Sequence, residues 1–407
     1  MMDVVLKNIS LLLCPQHDHI ERKRNVHIGV KENRIAYIGS DQPHADTVID
    51  ASQLIVLPGL IDPHTHAVWG GSRAQEFARR LAGKPYSEIL EEGGGILSTV
   101  RETRKRTETE LHRIAAQRIR AMQRQGVTRV EIKSGYGLST QHEEKILSVA
   151  NNLKEKISVS TTFLGAHTIP KEFRKHRDRY VAEIIEEQLP RCAPLAEFID
   201  VYCDRGAFTL DESIAILKAG KKYDLRIKAH AEQVTHTGIA AAAAKLGAIS
   251  VEHLEYAQSE DIAAMKDHGT IAVLLPGAQL YLKDRSPPVH AFREAGVPMA
   301  IGTDLNPGTS PVFNIWTCAT LSCILQGLTM EEALLGMTIN AAKAVGQEHE
   351  GIIVEGGLAN LAIFQPPPGD PIELESLMQS MGHASCRATI QNGKIVFHNL
   401  ADRIVGY

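Results

Sequence analysis

The chain has 407 residues, 43% hydrophobic and 23% charged, and 44 basic against 48 acidic side chains leave a net charge of −4. That length can bury a large core. The near balance of charge, with no strongly basic end or face, excludes nucleic acid and an anionic membrane as expected partners.

No run of about 18 apolar residues predicts a membrane span. The opening Met1-Met2-Asp3-Val4-Val5-Leu6-Lys7 lacks the basic segment, apolar core and small-residue cleavage site of a signal peptide, so the cytoplasm is the expected location. Cys14, Cys192, Cys203, Cys318, Cys323 and Cys386 form no CxxC pair and are expected to be reduced thiols packed as small hydrophobes.

In chain order, residues 4–13, 26–30 and 34–38 are β-rich and separated by polar turns such as Lys31-Glu32-Asn33. Apolar strand candidates then end near Leu60-Ile61-Asp62, Val130-Glu131-Ile132, Thr162-Phe163-Leu164, Ile199-Asp200-Val201-Tyr202, Ile227-Lys228-Ala229, Ser250-Val251-Glu252, Ala272-Val273-Leu274 and Met299-Ala300-Ile301. Segments of helical periodicity separate them, most clearly 110–125, stopped by Gly126, and the alanine-rich 239–246.

About eight such alternations predict an α/β fold, a parallel sheet closed into a (β/α)8 TIM barrel. An open, doubly wound sheet is the runner-up. Against it, no GxGxxG follows the first strand, and Gly93-Gly94-Gly95 lacks the Lys-Ser/Thr of a phosphate loop. Those glycines are expected to form a flexible loop near the site. Beyond the barrel, 361–364, 388–390 and 394–397 read as strands, the last after the turn pair Asn392-Gly393, with a rigid proline-rich loop at 365–371. The strand-rich ends predict one composite β-sandwich, 1–56 plus 352–407, around a barrel of 57–351.

The chemistry concentrates at strand ends. In Pro58-Gly59-Leu60-Ile61-Asp62-Pro63-His64-Thr65-His66, histidines at i and i+2 point to the same side of an extended chain. Both can reach one ion, and imidazole suits zinc or iron(II). A pair of satisfied core histidines would look the same. However, His230, His253 and Asp304 close three later strands, and the C-terminal strand ends of a barrel converge on one face. Four coincidences are hard to explain as core packing.

The His64–His66 motif, His230, His253 and Gly302-Thr303-Asp304 resemble the amidohydrolase superfamily. Within it, the run from His64 to Arg73 resembles the imidazolonepropionase family. So do Lys133-Ser134-Gly135-Tyr136-Gly137, Phe163-Leu164-Gly165-Ala166-His167 and Asp304-Leu305-Asn306-Pro307-Gly308-Thr309. The resemblance runs over essentially the whole chain. It implies hydrolysis of 4-imidazolone-5-propanoate to N-formimidoyl-L-glutamate, the third step of histidine degradation. It implies one divalent metal ion, zinc or iron, on His64, His66, His230 and Asp304, with Arg73, Tyr136, His167, Gln233, Asn306, Gly308 and Thr309 lining the substrate pocket, and it suggests a homodimer.

The residue chemistry agrees in kind. Arg73 could bind a propionate as a bidentate fork, or simply form a surface ion pair at a helix start. Pro307-Gly308 makes a turn that can present backbone groups to a ligand. Asp304 and His253 are the candidates for proton transfer, with oxyanion contact or a fourth imidazole ligand as further roles for His253. Some members of the family carry glutamate where this chain has Gln233, which can hydrogen-bond but cannot shuttle a proton. Glu232 beside it is a possible base, or an acid exposed on the strand's flank. Two other readings are another cyclic-amide hydrolase or a nucleobase deaminase of the same superfamily, the latter releasing ammonia, and a non-catalytic barrel, which would be expected to lose metal ligands.

Overall fold

Eight parallel strands follow one another in chain order: β1 (Leu60–Asp62), β2 (Val127–Lys133), β3 (Ser158–Ala166), β4 (Phe198–Cys203), β5 (Arg226–Ala231), β6 (Ser250–His253), β7 (Ile271–Leu274) and β8 (Met299–Ile301). A bridge between Thr65, just past β1, and Leu305, just past β8, brings the two edges together. This computed structural model describes residues 1–84, 88–89, 92–383, 385–400 and 403–406. The barrel expected from the alternation is thus present. Its strands are buried almost throughout because helices cover the outside while side chains fill the inside, and β2, although it carries Arg129, Glu131 and Lys133, is buried at every position.

The helices begin where local chemistry allows. Thr107 accepts from Glu110 N and Glu110 accepts from Thr107 N, a capping box that starts the first long helix at Glu108 rather than at the expected 110. In Ile239–Lys245 the buried Ala240, Ala243 and Ala244 let the helix lie close on the barrel.

The termini build two further sheets. One contains Met2–Ile9, Val26–Lys31, Arg34–Gly39, Ala45–Asp50 and Ile404–Val405; the other contains Leu11–Pro15, Ile20–Lys23, Ile55–Pro58, Leu361–Phe364, Cys386–Gln391 and Lys394–His398. The single strand expected over 4–13 is two strands in different sheets. Asn8 takes a left-handed φ of 56° and the pairing register slips between Leu6 and Ile9, which turns the chain out of the first sheet.

Strand alternation assigns each face of the second sheet a partner. Leu12, Cys14, Val56, Leu361 and Ile363 join the core between the two sheets. Leu11, Leu13, Ile55, Leu57, Ala362 and Phe364 join the core under the barrel helices. Phe364 meets Trp316 edge to face with centroids 5.1 Å apart. Strand Ile55–Pro58 runs across residue 56, where the sequence placed a domain boundary. All six cysteines are free thiols, and no described helix is long and apolar enough to cross a membrane.

Candidate active site

The seam of the barrel carries most of its chemistry. His64 and His66 extend from β1, and their backbone is pinned to the segment after β8: Asp304 N donates to His64 O and His66 N to Leu305 O, each at 3.0 Å. Beneath them, Asp62 accepts from Thr303 N at 3.1 Å and Thr303 Oγ1 at 2.6 Å. The first and last strands therefore hold three of the expected ligands in fixed relation. The Nε2 atoms of His64 and His66 are 3.4 Å apart, and Asp304 Oδ1 lies 3.3 and 3.5 Å from them.

His230 completes the cluster from β5. One ring nitrogen from each of His64, His66 and His230 lies within 4.8 Å of the others. His230 Nε2 is buried and has no hydrogen-bond partner, which is costly unless something else occupies it. Three imidazoles and a carboxylate are the donor chemistry of a divalent ion such as zinc or iron(II), so these residues fit the implied metal.

Carboxylates hold the rings from behind. Asp200 on β4 accepts from His230 N at 3.1 Å and lies 3.0 Å from His230 Nδ1. Glu252 on β6 lies against His64 Nδ1. A carboxylate taking the Nδ1 proton leaves Nε2 as the ligand atom. Lys133 Nζ is 2.8 Å from Asp200 and 2.9 Å from both Glu131 and Glu252, and Lys228 Nζ is 2.9 Å from Glu252. These side chains are fully buried. Two ammonium groups against three carboxylates leave one negative charge under the histidines, which favours a cation above. Burial pushes the Glu252 carboxyl up, but Lys133, Lys228 and His64 outweigh it and hold it well below the usual range.

The sequence reading gave no role to Glu131, Lys133, Asp200, Lys228 or Glu252. The available signal was the charged residues set inside four of the predicted barrel strands. Lys228 and His230 are two apart, as are Glu131 and Lys133, so each pair faces the barrel interior together.

His253 leaves the strand at a left-handed φ of 79°. Its ring centroid is 5.3 Å from that of His230 and 5.8 Å from that of His64, and its Nδ1 is buried without a partner. Burial, with His230 and His64 nearby, holds its pKa well below the usual value, so the ring is neutral.

On the other side His167 stacks on His66, with centroids 4.9 Å apart and planes 11° from parallel. Its Nδ1 lies 2.9 Å from Gly135 O, which places the proton there. Burial lowers its pKa to about 3. Tyr136 sits 5.6 Å from His66, ring to ring. Burial and Asp304 push the phenol's pKa up, while Arg73 and Arg118 pull it down, so Tyr136 stands between the metal cluster and two guanidinium groups.

Arg73 is ion-paired at a helix start, as the simpler expectation had it, but it is buried rather than on the surface. Its Nε donates to Glu76 Oε2 at 3.1 Å and Nη2 donates to Oε1. Gly95 N donates to the same Oε2 at 2.9 Å, which ties the glycine run to this corner. The Arg73 guanidinium crosses Gly308 so closely that a Cβ there would collide with it. Gly308→Ala is therefore expected to lower kcat/KM roughly 10- to 100-fold, the scale of about 1–3 kcal/mol of overpacking, with the fold intact. Unchanged kinetics would show that the contact does not shape the pocket.

Asn306 faces its own loop. Its Oδ1 accepts from Gly308 N and Thr309 N, each at 2.8 Å, and from Thr309 Oγ1 at 3.1 Å, while Nδ2 donates to Asp304 O at 2.7 Å. It braces the turn that presents Gly308 and Thr309. Gln233 is buried just past β5. Glu232 is not an exposed acid: it is fully buried and accepts from Ala240 N at 3.0 Å and from Thr237 N, fixing the start of the helix Ile239–Lys245. Capping that helix explains its burial. A cavity of about 370 Å³ opens beside Arg73 and Gly308, with Trp69, Arg118, Tyr281 and Phe313 in its wall.

The sequence pattern of the amidohydrolase family matches residues 55–396. Curated relatives include the imidazolonepropionase of Shewanella baltica, 44% identical over 91% of this chain and 93% of that protein. That of Shewanella putrefaciens is 43% identical over 91% and 93%. Among solved structures, a zinc-bound adenosine deaminase from Xanthomonas campestris superposes with a TM-score of 0.74 at 16% identity, covering 97% of this chain and 92% of that one. A zinc complex of atrazine chlorohydrolase from Arthrobacter aurescens gives 0.70 at 16% identity, covering 98% and 96%. At that identity the structural likeness speaks for the fold alone.

Proposed function

The chain belongs to the amidohydrolase family, in its imidazolonepropionase branch, and from that premise we propose how its residues divide the work. It hydrolyses the ring C–N amide bond of 4-imidazolone-5-propanoate to N-formimidoyl-L-glutamate, the third step of L-histidine degradation. The observation that carries the site assignment is the unpartnered, buried Nε2 of His230 on a ring that clusters with His64 and His66, beside which Asp304 lies. These four residues hold one divalent ion, zinc or iron. When bound, the ion supplies Lewis acidity, lowering the pKa of water and polarising the ring carbonyl.

Asp304 and His253 move the protons. Asp304, through a carboxylate oxygen, accepts one from the attacking water. His253, neutral and with Nδ1 unpartnered, contacts the developing oxyanion or relays to the leaving ring nitrogen the proton that Asp304 has taken. The C–N bond breaks, the former carbonyl carbon becomes the α-carboxylate, and the nitrogen leaves protonated. Tyr136, His167, Gln233, Gly308 and Thr309 orient the ring, Arg73 closes the propionate end, and Asn306 acts mainly by holding its turn.

Around this centre we take 57–351 as the barrel unit and 1–56 with 352–407 as the β unit, supported by a separate apolar core drawn wholly from the termini. Six free cysteines suit the reducing cytoplasm that we assign to it. The test is loss of imidazolone absorbance with the product identified by mass. N-formimidoyl-L-glutamate, formed before chelation and not after, is the expected result. Ammonia release instead would mean a deaminase.

A further inference from the structure

The substrate end of the cavity contains a cation that the reading above leaves unused. Arg118, on the helix Glu108–Gln123, lays its guanidinium over the face of Trp69, with Cζ 3.0 Å from the ring centroid. Among the described residues only Nη1 is engaged by the backbone, donating to Ala67 O at 2.8 Å and Trp69 O at 3.0 Å. Among the described residues no carboxylate pairs with it. Arg73 differs, since Glu76 matches its charge through two hydrogen bonds. Both arginines line the same cavity beside Gly308, and both act on Tyr136, whose ring adjoins the metal ligand His66.

Arg118 is half-buried, and a guanidinium so placed without a carboxylate loses hydration that no ion pair replaces; this desolvation lowers its pKa to about 9, opposed by Tyr136. The arrangement is completed by an anion that arrives with the ligand. Resting on the assignment of 4-imidazolone-5-propanoate as substrate, we propose that Arg118 is the specificity-determining partner of the propionate carboxylate, held flat at the cavity wall by Trp69. Arg73, already neutralised by Glu76, shapes the same end without supplying the net charge. Planar, bidentate recognition of a carboxylate is what a stacked guanidinium does well.

A purely structural Arg118 would brace the 67–69 turn after the metal histidines and would affect all substrates alike. The test compares the propanoate with its neutral primary amide, an isosteric probe, for wild type, Arg118→Gln and Arg118→Lys. Wild type is expected to prefer the acid by roughly 100-fold in kcat/KM, mostly through KM, the scale expected for a buried charge pair. Arg118→Gln should reduce that preference to about threefold or less, whereas Arg118→Lys, which keeps the charge but not the fork, should retain an intermediate preference.

An undiminished preference in Arg118→Gln, with both substrates losing rate equally, would overturn the proposal. If the glutamine variant does not fold, the lysine variant decides: a full wild-type preference there would also overturn it. No turnover of either compound by the metal-loaded wild type would overturn the substrate assignment itself, and the proposal with it.

Discussion

Replacing His230 with alanine is expected to cost on the order of 10⁴-fold in kcat, equivalent to about 5.5 kcal/mol of transition-state stabilisation. His230 is the one ligand that comes from the far side of the barrel. His64, His66 and Asp304 are pinned to one another across the seam by backbone hydrogen bonds, whereas His230 reaches them from β5, oriented by Asp200. Removing its ring takes away the buried Nε2 that has no other use. The fold should persist, because Asp200 keeps Lys133 as a partner at 2.8 Å. Metal content and steady-state kinetics check this together. A variant that keeps both metal and rate would remove His230 from the ligand set.

The second large effect is expected at Glu252, which never touches the substrate. Its carboxylate serves Lys228 at 2.9 Å, Lys133 at 2.9 Å and His64 Nδ1. Glu252→Gln would leave Lys228 with only neutral partners, Ser250 Oγ at 3.0 Å and Pro63 O at 3.4 Å. Breaking a buried ion pair from one side costs about 3–5 kcal/mol. Loss of the carboxylate behind a metal-binding histidine weakens metal binding about 10- to 100-fold. Urea denaturation and metal competition measure the two effects separately. Wild-type values in both would mean that the buried charges neither support the fold nor orient His64.

Much of this site was legible in the sequence because it sits at strand ends. His64, His66, His230, His253 and Asp304 each stand at or just past the end of a predicted strand, and a closed barrel brings such positions to one face. The layer beneath was harder to read. Glu131, Lys133, Asp200, Lys228 and Glu252 come from four strands, and their pairing depends on which residues stand level around the barrel, as His230 stands beside Tyr202 on β4 and Glu252 on β6. Sequence distance carries no such information.

Asn306 shows a different limit. Its place in a motif suggested substrate contact, but both ends of its side chain are committed within its own turn. For Arg73 and Glu232 the alternative of an exposed side chain does not hold, since a charged residue's exposure is set by what packs over it. The break at Asn8 depended on a left-handed backbone position that asparagine tolerates but does not announce.

The central claim is that the four-residue cluster is a one-metal centre. Elemental analysis of the purified protein, paired with activity on the same sample, tests it most directly. The account predicts about one equivalent of zinc or iron per chain in wild type, with activity proportional to occupancy, and loss of both in His230→Ala. Full activity in a metal-free sample, or wild-type metal content in the His230 variant, would contradict it.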